Sequence, residues 1–168
     1  NNALFVASAV GRPPVRQSEL LRMNADTLAI EARITPAAAP GRPGRDGAMT
    51  DGGVFAVYGV GVDEAHDTVW VTQSRQNTVA VYRQSDLSLV RQFDPGTVNH
   101  ARDVIVDPSL NKAYVSATFE PEVVVFDTAT PEVARRITIA TTVRGEKFSA
   151  ASLSMDAEAH RLYVVSNS

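Results

Sequence analysis

GVGVDEAHDTVWVTQSRQNTVAVYRQSDLSLV (59–90) decides the fold, because ARDVIVDPSLNKAYVSATFEPEVVVFDTATP (101–131) repeats its layout. In each, an alternating apolar run ends on an aspartate, and an aromatic among apolar residues follows seven residues later: Asp63 then Trp70, Asp107 then Tyr114. Asp156 and Tyr163 form the same pair, and NALFVAS (2–8) has the form of the aromatic segment alone. Beyond the aromatic comes a second β-rich run with Tyr82, Phe126 and Met23 in equivalent places. Eleven residues further on, Ile34, Phe93 and Ile137 mark a short fourth run. The turn aspartates recur at spacings of 44 and 49 residues, a period that suits four short strands joined by tight turns.

The two-residue alternation excludes helical repeats. Four-stranded antiparallel units rich in Val, Tyr and Phe fit the blades of a β-propeller. Blades pack face to face, so their middle strands should be apolar on both sides, and Val123, Val124, Val125 and Phe126 read that way. The expectation is an all-β single domain over 1–168, a partial β-propeller of about three and a half blades, with blade boundaries near 54, 98 and 148. The chain opens and stops on the aromatic strand of a blade, which predicts bare blade faces. More chain, or partner copies joined by self-association, would cover them. Covering roughly 400 Å² of apolar surface contributes on the order of 10 kcal/mol.

Composition narrows the class. With 44% hydrophobic and 21% charged residues and a net charge of −3, the chain is neither a strongly basic nucleic-acid protein nor an acidic tail. Cysteine is absent, which excludes a disulfide framework, thiolate metal sites and a cysteine nucleophile. No run of about 18 apolar residues offers a membrane span. The metalloprotease, nucleophile-elbow, P-loop and EF-hand motifs are missing. No catalytic residue, metal site or cofactor is therefore assigned.

The repeats differ in their loops. The aromatic and the second marker are 12 residues apart in two repeats and 18 in the first, where GRPPV (11–15) enlarges the connection. PAAAPGRPGRDGAMTDGG (36–53) adds further length. Its Pro, Gly and Ala content predicts a flexible surface loop.

The pattern G-V-x-V-D, then W/Y-V-T/S, then V-x-V-Y/F-D resembles the YVTN-type repeat over nearly the whole chain, and its arrangement is similar to that of YncE-like periplasmic proteins. The resemblance implies a soluble, secreted propeller of seven blades, periplasmic or extracellular, of which this chain is the N-terminal half. It also brings in DNA-binding propellers and surface-layer proteins as relatives.

Propeller sites are assembled from one residue per blade around the channel mouth, so candidates must be sought in repeat register. Counting back from the turn aspartates places Ala56, His100 and Ser149 in one ring and Tyr58, Arg102 and Ala151 in another, with Asp103 and Ser152 sharing a third. His100, Arg102 and Asp103 are the densest cluster: an imidazole beside a carboxylate is a candidate base, and an arginine there a candidate anion clamp. Arg75 and Asn77 in one loop, Arg16 and Gln17 in another, and Phe119 with Glu120 in a third are expected to crown the same face. Such a basic rim with an aromatic suits a strand of nucleic acid or another anionic polymer, although Glu120, Glu122 and Glu146 dilute its field. Asp63, Asp107 and Asp156 are read as turn formers, and His66 and His160 as surface residues of the same turns.

The ligand-binding candidates are thus His100, Arg102, Asp103, Tyr58, Arg75 and Asn77. The expected function is a non-enzymatic binding scaffold whose ligand the sequence does not identify. A propeller enzyme, a lactonase-like hydrolase or dehydrogenase, is one alternative. A cell-surface module with a protein partner is the other.

Overall fold

In the computed structural model, which describes residues 2–140 and 148–166, four antiparallel sheets follow one another along the chain. Glu146 lies outside the described residues. The first sheet has three strands, β1 (Ala3–Val10), β2 (Gln17–Asn24) and β3 (Ile30–Ile34). The second has β4 (Val60–Asp63), β5 (Thr68–Gln73), β6 (Thr78–Arg83) and β7 (Leu89–Gln92). The third has β8 (Ala101–Asp107), β9 (Lys112–Ala117), β10 (Glu122–Asp127) and β11 (Glu132–Thr138). The last is a pair, β12 (Ala150–Asp156) and β13 (Arg161–Ser166). In both complete sheets the strands lie in chain order. This is the four-stranded meander expected of a blade, and the described residues contain no α-helix.

The repeat is exact in register. Leu4 pairs with Met23, Val69 with Tyr82 and Ala113 with Phe126, each one residue before the marker aromatic. A β-bulge recurs at one place on the outer strand of all three larger sheets, where the register skips Glu31, Val90 and Ala134. The turn aspartates act through their backbone bonds: Asp63 Oδ1 accepts from the Ala65 N–H, Asp107 Oδ1 from those of Ser109 and Leu110, and Asp156 Oδ1 from that of Ala159. Each turn then closes on a residue in the left-handed region, Asp67, Asn111 or His160. An aspartate suits this task because its short side chain reaches the N–H groups two and three residues on.

The middle sheets are buried on both faces, as β5 shows with all six residues buried. One core lies between the second and third sheets, where the rings of Trp70, Phe93 and Phe126 meet at centroid separations of 5.0 to 6.2 Å. A second core joins the first and second sheets through Leu20, Val57, Val69, Val71 and Tyr82, with Phe5 and Ile34 at its margin. Burial pushes the Tyr82 phenol up to about 12. By contrast β13 alternates exposed and half-buried residues, with Tyr163 and Val165 open.

The first strands of successive sheets pack on one another, β4 on β8 and β8 on β12, so they form the inner wall. A hydroxyl relay joins them. The Gly59 N–H donates to Thr72 Oγ1 (2.7 Å), which donates to the Arg102 carbonyl (2.8 Å) in the next blade. One repeat later, the Asp103 N–H donates to Ser116 Oγ (3.0 Å), which donates to the Ala151 carbonyl (3.2 Å). The Thr or Ser of the W/Y-V-T/S pattern thus links its own blade to the next.

At the opposite end of the inner strands, the turn histidines also cross between blades. His66 lies 2.8 Å from Asp63 and 3.4 Å from Thr128, while His160 lies 3.1 Å from Asp107. Desolvation acts to raise the pKa of buried Asp107, but bonds from Ser109, His160 and the Leu110 N–H outweigh it and hold the carboxyl below its ordinary value of 3.8. A depressed carboxylate stabilises the fold above its unfolded pKa, and that contribution is lost as pH falls through the folded pKa. Asp107→Asn is therefore expected to destabilise the chain at pH 7 by about 2 kcal/mol. The difference from the parent should shrink in urea melts repeated below pH 3.8; a difference independent of pH would show that the charge contributes nothing.

Candidate functional site

The inner strands begin at one end of the blades, and their leading residues meet the connections between second and third strands there. A cavity of about 850 Å³ opens at this place. Its walls come from the β1–β2 connection around Pro13 to Val15, from Ala56 to Tyr58 before β4, and from Ser74 to Asn77 between β5 and β6. His100 and Arg102 at the start of β8, and Thr118 with Phe119 between β9 and β10, complete the blade-borne part. The 36–53 stretch supplies Pro40, Arg42, Thr50, Asp51 and Gly52.

Five of the six residues singled out in the sequence line this cavity: Tyr58, Arg75, Asn77, His100 and Arg102. Tyr58 and Arg102, equivalent in repeat register, stack with the guanidinium carbon 5.7 Å from the ring centroid. Asn77 Oδ1 accepts from the His100 N–H (2.9 Å), which ties the β5–β6 connection to the next blade. His100 sits edge-on to Phe119, their ring centroids 5.0 Å apart, and its Nδ1 lies 2.9 Å from Asn99 Oδ1. Asn99 Nδ2 in turn donates to Glu120 Oε1 (2.9 Å). A carboxylate only accepts, so this bond orients the Asn99 amide, and its carbonyl then requires the proton on His100 Nδ1.

Asp103 does not join them. Its carboxylate accepts from the backbone N–H of Val104 (3.0 Å) and, in the following blade, of Leu153 (2.8 Å), so it serves as a strut between sheets. Arg16 and Gln17 line a separate cavity of about 320 Å³. Arg16 also pairs with Asp51 at 2.9 Å. A hydrogen bond from the Gly53 N–H, aided by Arg16, holds the Asp51 carboxyl below its usual range.

Three features of the cavity were not visible in the sequence. Arg42 joins Arg75 and Arg102 as a third guanidinium, its Nη2 donating to the Arg75 carbonyl (3.4 Å). It lies in the 36–53 insertion, which has no counterpart in the other repeats and so no register to place it. Thr118 is buried at the wall with an Oγ1 that has no partner among the described residues. Asn77, His100 and Phe119 all adopt positive φ angles of 57°, 45° and 74°. Asn and His adopt this region readily, so the cost falls chiefly on Phe119.

Among the described residues, no group of three or more His, Asp or Glu side chains is placed to hold a metal ion. Among the same residues no helix is long and apolar enough to cross a membrane.

The blades and the end-on cavity define a fold of the β-propeller type, and solved structures agree. Hydrazine synthase of Kuenenia stuttgartiensis superposes with a TM-score of 0.69 at 13% identity over 97% of this chain. A chain of the nidogen/laminin complex superposes with a TM-score of 0.59 at 10% identity over 96% of it. This chain spans 38% and 52% of the lengths of those two. No protein-family model matches the sequence, and no curated protein matches it.

Proposed function

We propose that the chain is part of a secreted propeller of the YVTN kind, seven-bladed when whole, and that it is a non-enzymatic scaffold binding an anionic ligand on its channel face. The observation that carries this reading is the set Arg42, Arg75 and Arg102 around one cavity with two exposed aromatics, Tyr58 and Phe119. Among the described lining residues the one carboxylate, Asp51, already pairs with Arg16, which favours a net positive field. Guanidinium groups bind carboxylate and phosphate through charge-assisted hydrogen bonds, and ring faces accept planar groups. A nucleic acid strand is one ligand of this chemistry.

The structural neighbours do not choose between binding and catalysis, since one is named as an enzyme and the other as a protein complex. The site supports binding: His100 rests on an amide, and the carboxylate of Asp103 is engaged with the backbone.

Titration with two anionic probes, phenyl phosphate and an oligothymidylate of about fifteen residues, tests the reading. At least one should bind, and Arg75→Ala and Arg102→Ala should each weaken it by about tenfold. If the oligonucleotide binds, each substitution should also lower its salt slope by about one. Undiminished affinity in both variants would remove the proposal.

A further inference from the structure

We infer that the 36–53 arm restricts this site to a compact aromatic anion, a single ring carrying a carboxylate or phosphate, in preference to a continuous strand. The inference rests on the anion-binding reading above and names the ligand class.

The arm is a built wall of the cavity. Thr50 returns its N–H and its hydroxyl to the Arg42 carbonyl (2.8 and 2.9 Å). The two limbs touch so closely that a Cβ on Gly41 would lie 1.8 Å from the Thr50 carbonyl oxygen, and one on Gly52 2.1 Å from that of Ala39. At its base the Val54 N–H donates to the Val15 carbonyl (2.8 Å), and Asp51 pairs with Arg16, so the arm is fastened to the first blade. At its other side Arg42 reaches the Arg75 carbonyl of the second blade. The arm therefore bridges two blades at the place where a strand crossing the channel face would need an open groove.

What remains has the size of a small-molecule site, since about 850 Å³ falls within the range of roughly 300 to 1,000 Å³ that such ligands occupy. The arm brings Arg42 to a cavity that Arg75 and Arg102 also line. Tyr58 is 56% exposed and Phe119 70% exposed, so both rings offer surface to a planar partner.

Calorimetric titration of the full chain with benzoate, phenyl phosphate, inorganic phosphate and an oligothymidylate of about fifteen residues distinguishes the cases. Benzoate or phenyl phosphate should bind one to one, with inorganic phosphate and the oligonucleotide at least about tenfold weaker. Arg42→Ala should weaken the ring-bearing anion by about tenfold. Replacing residues 41–51 by a short Gly-Ser link should shift the preference towards the oligonucleotide. Should that variant not fold, Arg42→Ala carries the test alone. An oligonucleotide bound more tightly than either ring-bearing anion, or inorganic phosphate bound as well as they are, would overturn the inference and leave the anion reading standing. Failure of all four probes to bind would overturn both.

Discussion

Phe126→Ala is expected to remove about 4 kcal/mol of unfolding free energy. Phe126 is fully buried and packs between Trp70 and Phe93 at 5.4 and 5.0 Å, so its ring is shared by two blades. Truncation removes both the transfer free energy of the ring and the contacts that Trp70 and Phe93 make with it. Trp70 is held within β5 and Phe93 by the bond from its N–H to the Val79 carbonyl (3.1 Å), so neither has much room to collapse into the space. A domain of ordinary stability, about 5 to 15 kcal/mol, would be left marginal. Urea melts should show an earlier midpoint, whereas Val133→Ala on the outer strand, 39% exposed, should stay within about 0.5 kcal/mol of the parent. A Phe126→Ala melt resembling that of Val133→Ala would mean that the two blades do not share this core.

Gly59→Ala should cost about 3 kcal/mol and weaken ligand binding together. A Cβ there would lie 2.4 Å from the Arg102 carbonyl oxygen and 2.9 Å from Thr72 Oγ1, the two partners of the hydroxyl relay. Neither can yield easily, since one is backbone in the next blade and the other is held on both sides. Relief would come from separating β8 from the second blade, and that moves Arg102 away from Tyr58. The expected result is a lower melting temperature with reduced affinity for the bound anion in the still-folded protein. A variant that melts and binds as the parent does would exclude so close an approach of the blades.

The fold was legible because its information is periodic. Asp63, Asp107 and Asp156 mark the same turn, and the aromatics seven residues later fall in the same register, so the repeat could be counted without knowing a single contact. The rings at the channel mouth followed from the same count, which is why Tyr58, His100 and Arg102 come together. Arg42 escaped because an insertion has no phase in the repeat. Asp103 illustrates the opposite difficulty: adjacent strand residues point to opposite faces, so the neighbour of Arg102 turns away from the cavity and bonds to Leu153. The turn histidines looked like surface residues from their sequence surroundings. His66 is half-buried beside Thr128, and exposed His160 nonetheless reaches Asp107 across the blade boundary, because sequence spacing gives no distance between blades.

The bulge that recurs in β3, β7 and β11 has a consequence for the behaviour of the chain in concentrated solution. An outer strand with an unpaired row of N–H and C=O groups is a template for fibril growth when it is flat and long. Here each outer strand is kinked at the same point by its extra residue and carries arginine, Arg33, Arg91 or the pair Arg135 and Arg136. Two rims kinked in this way do not lie flush against each other. A bulged rim of this kind disfavours pairing of copies rim to rim.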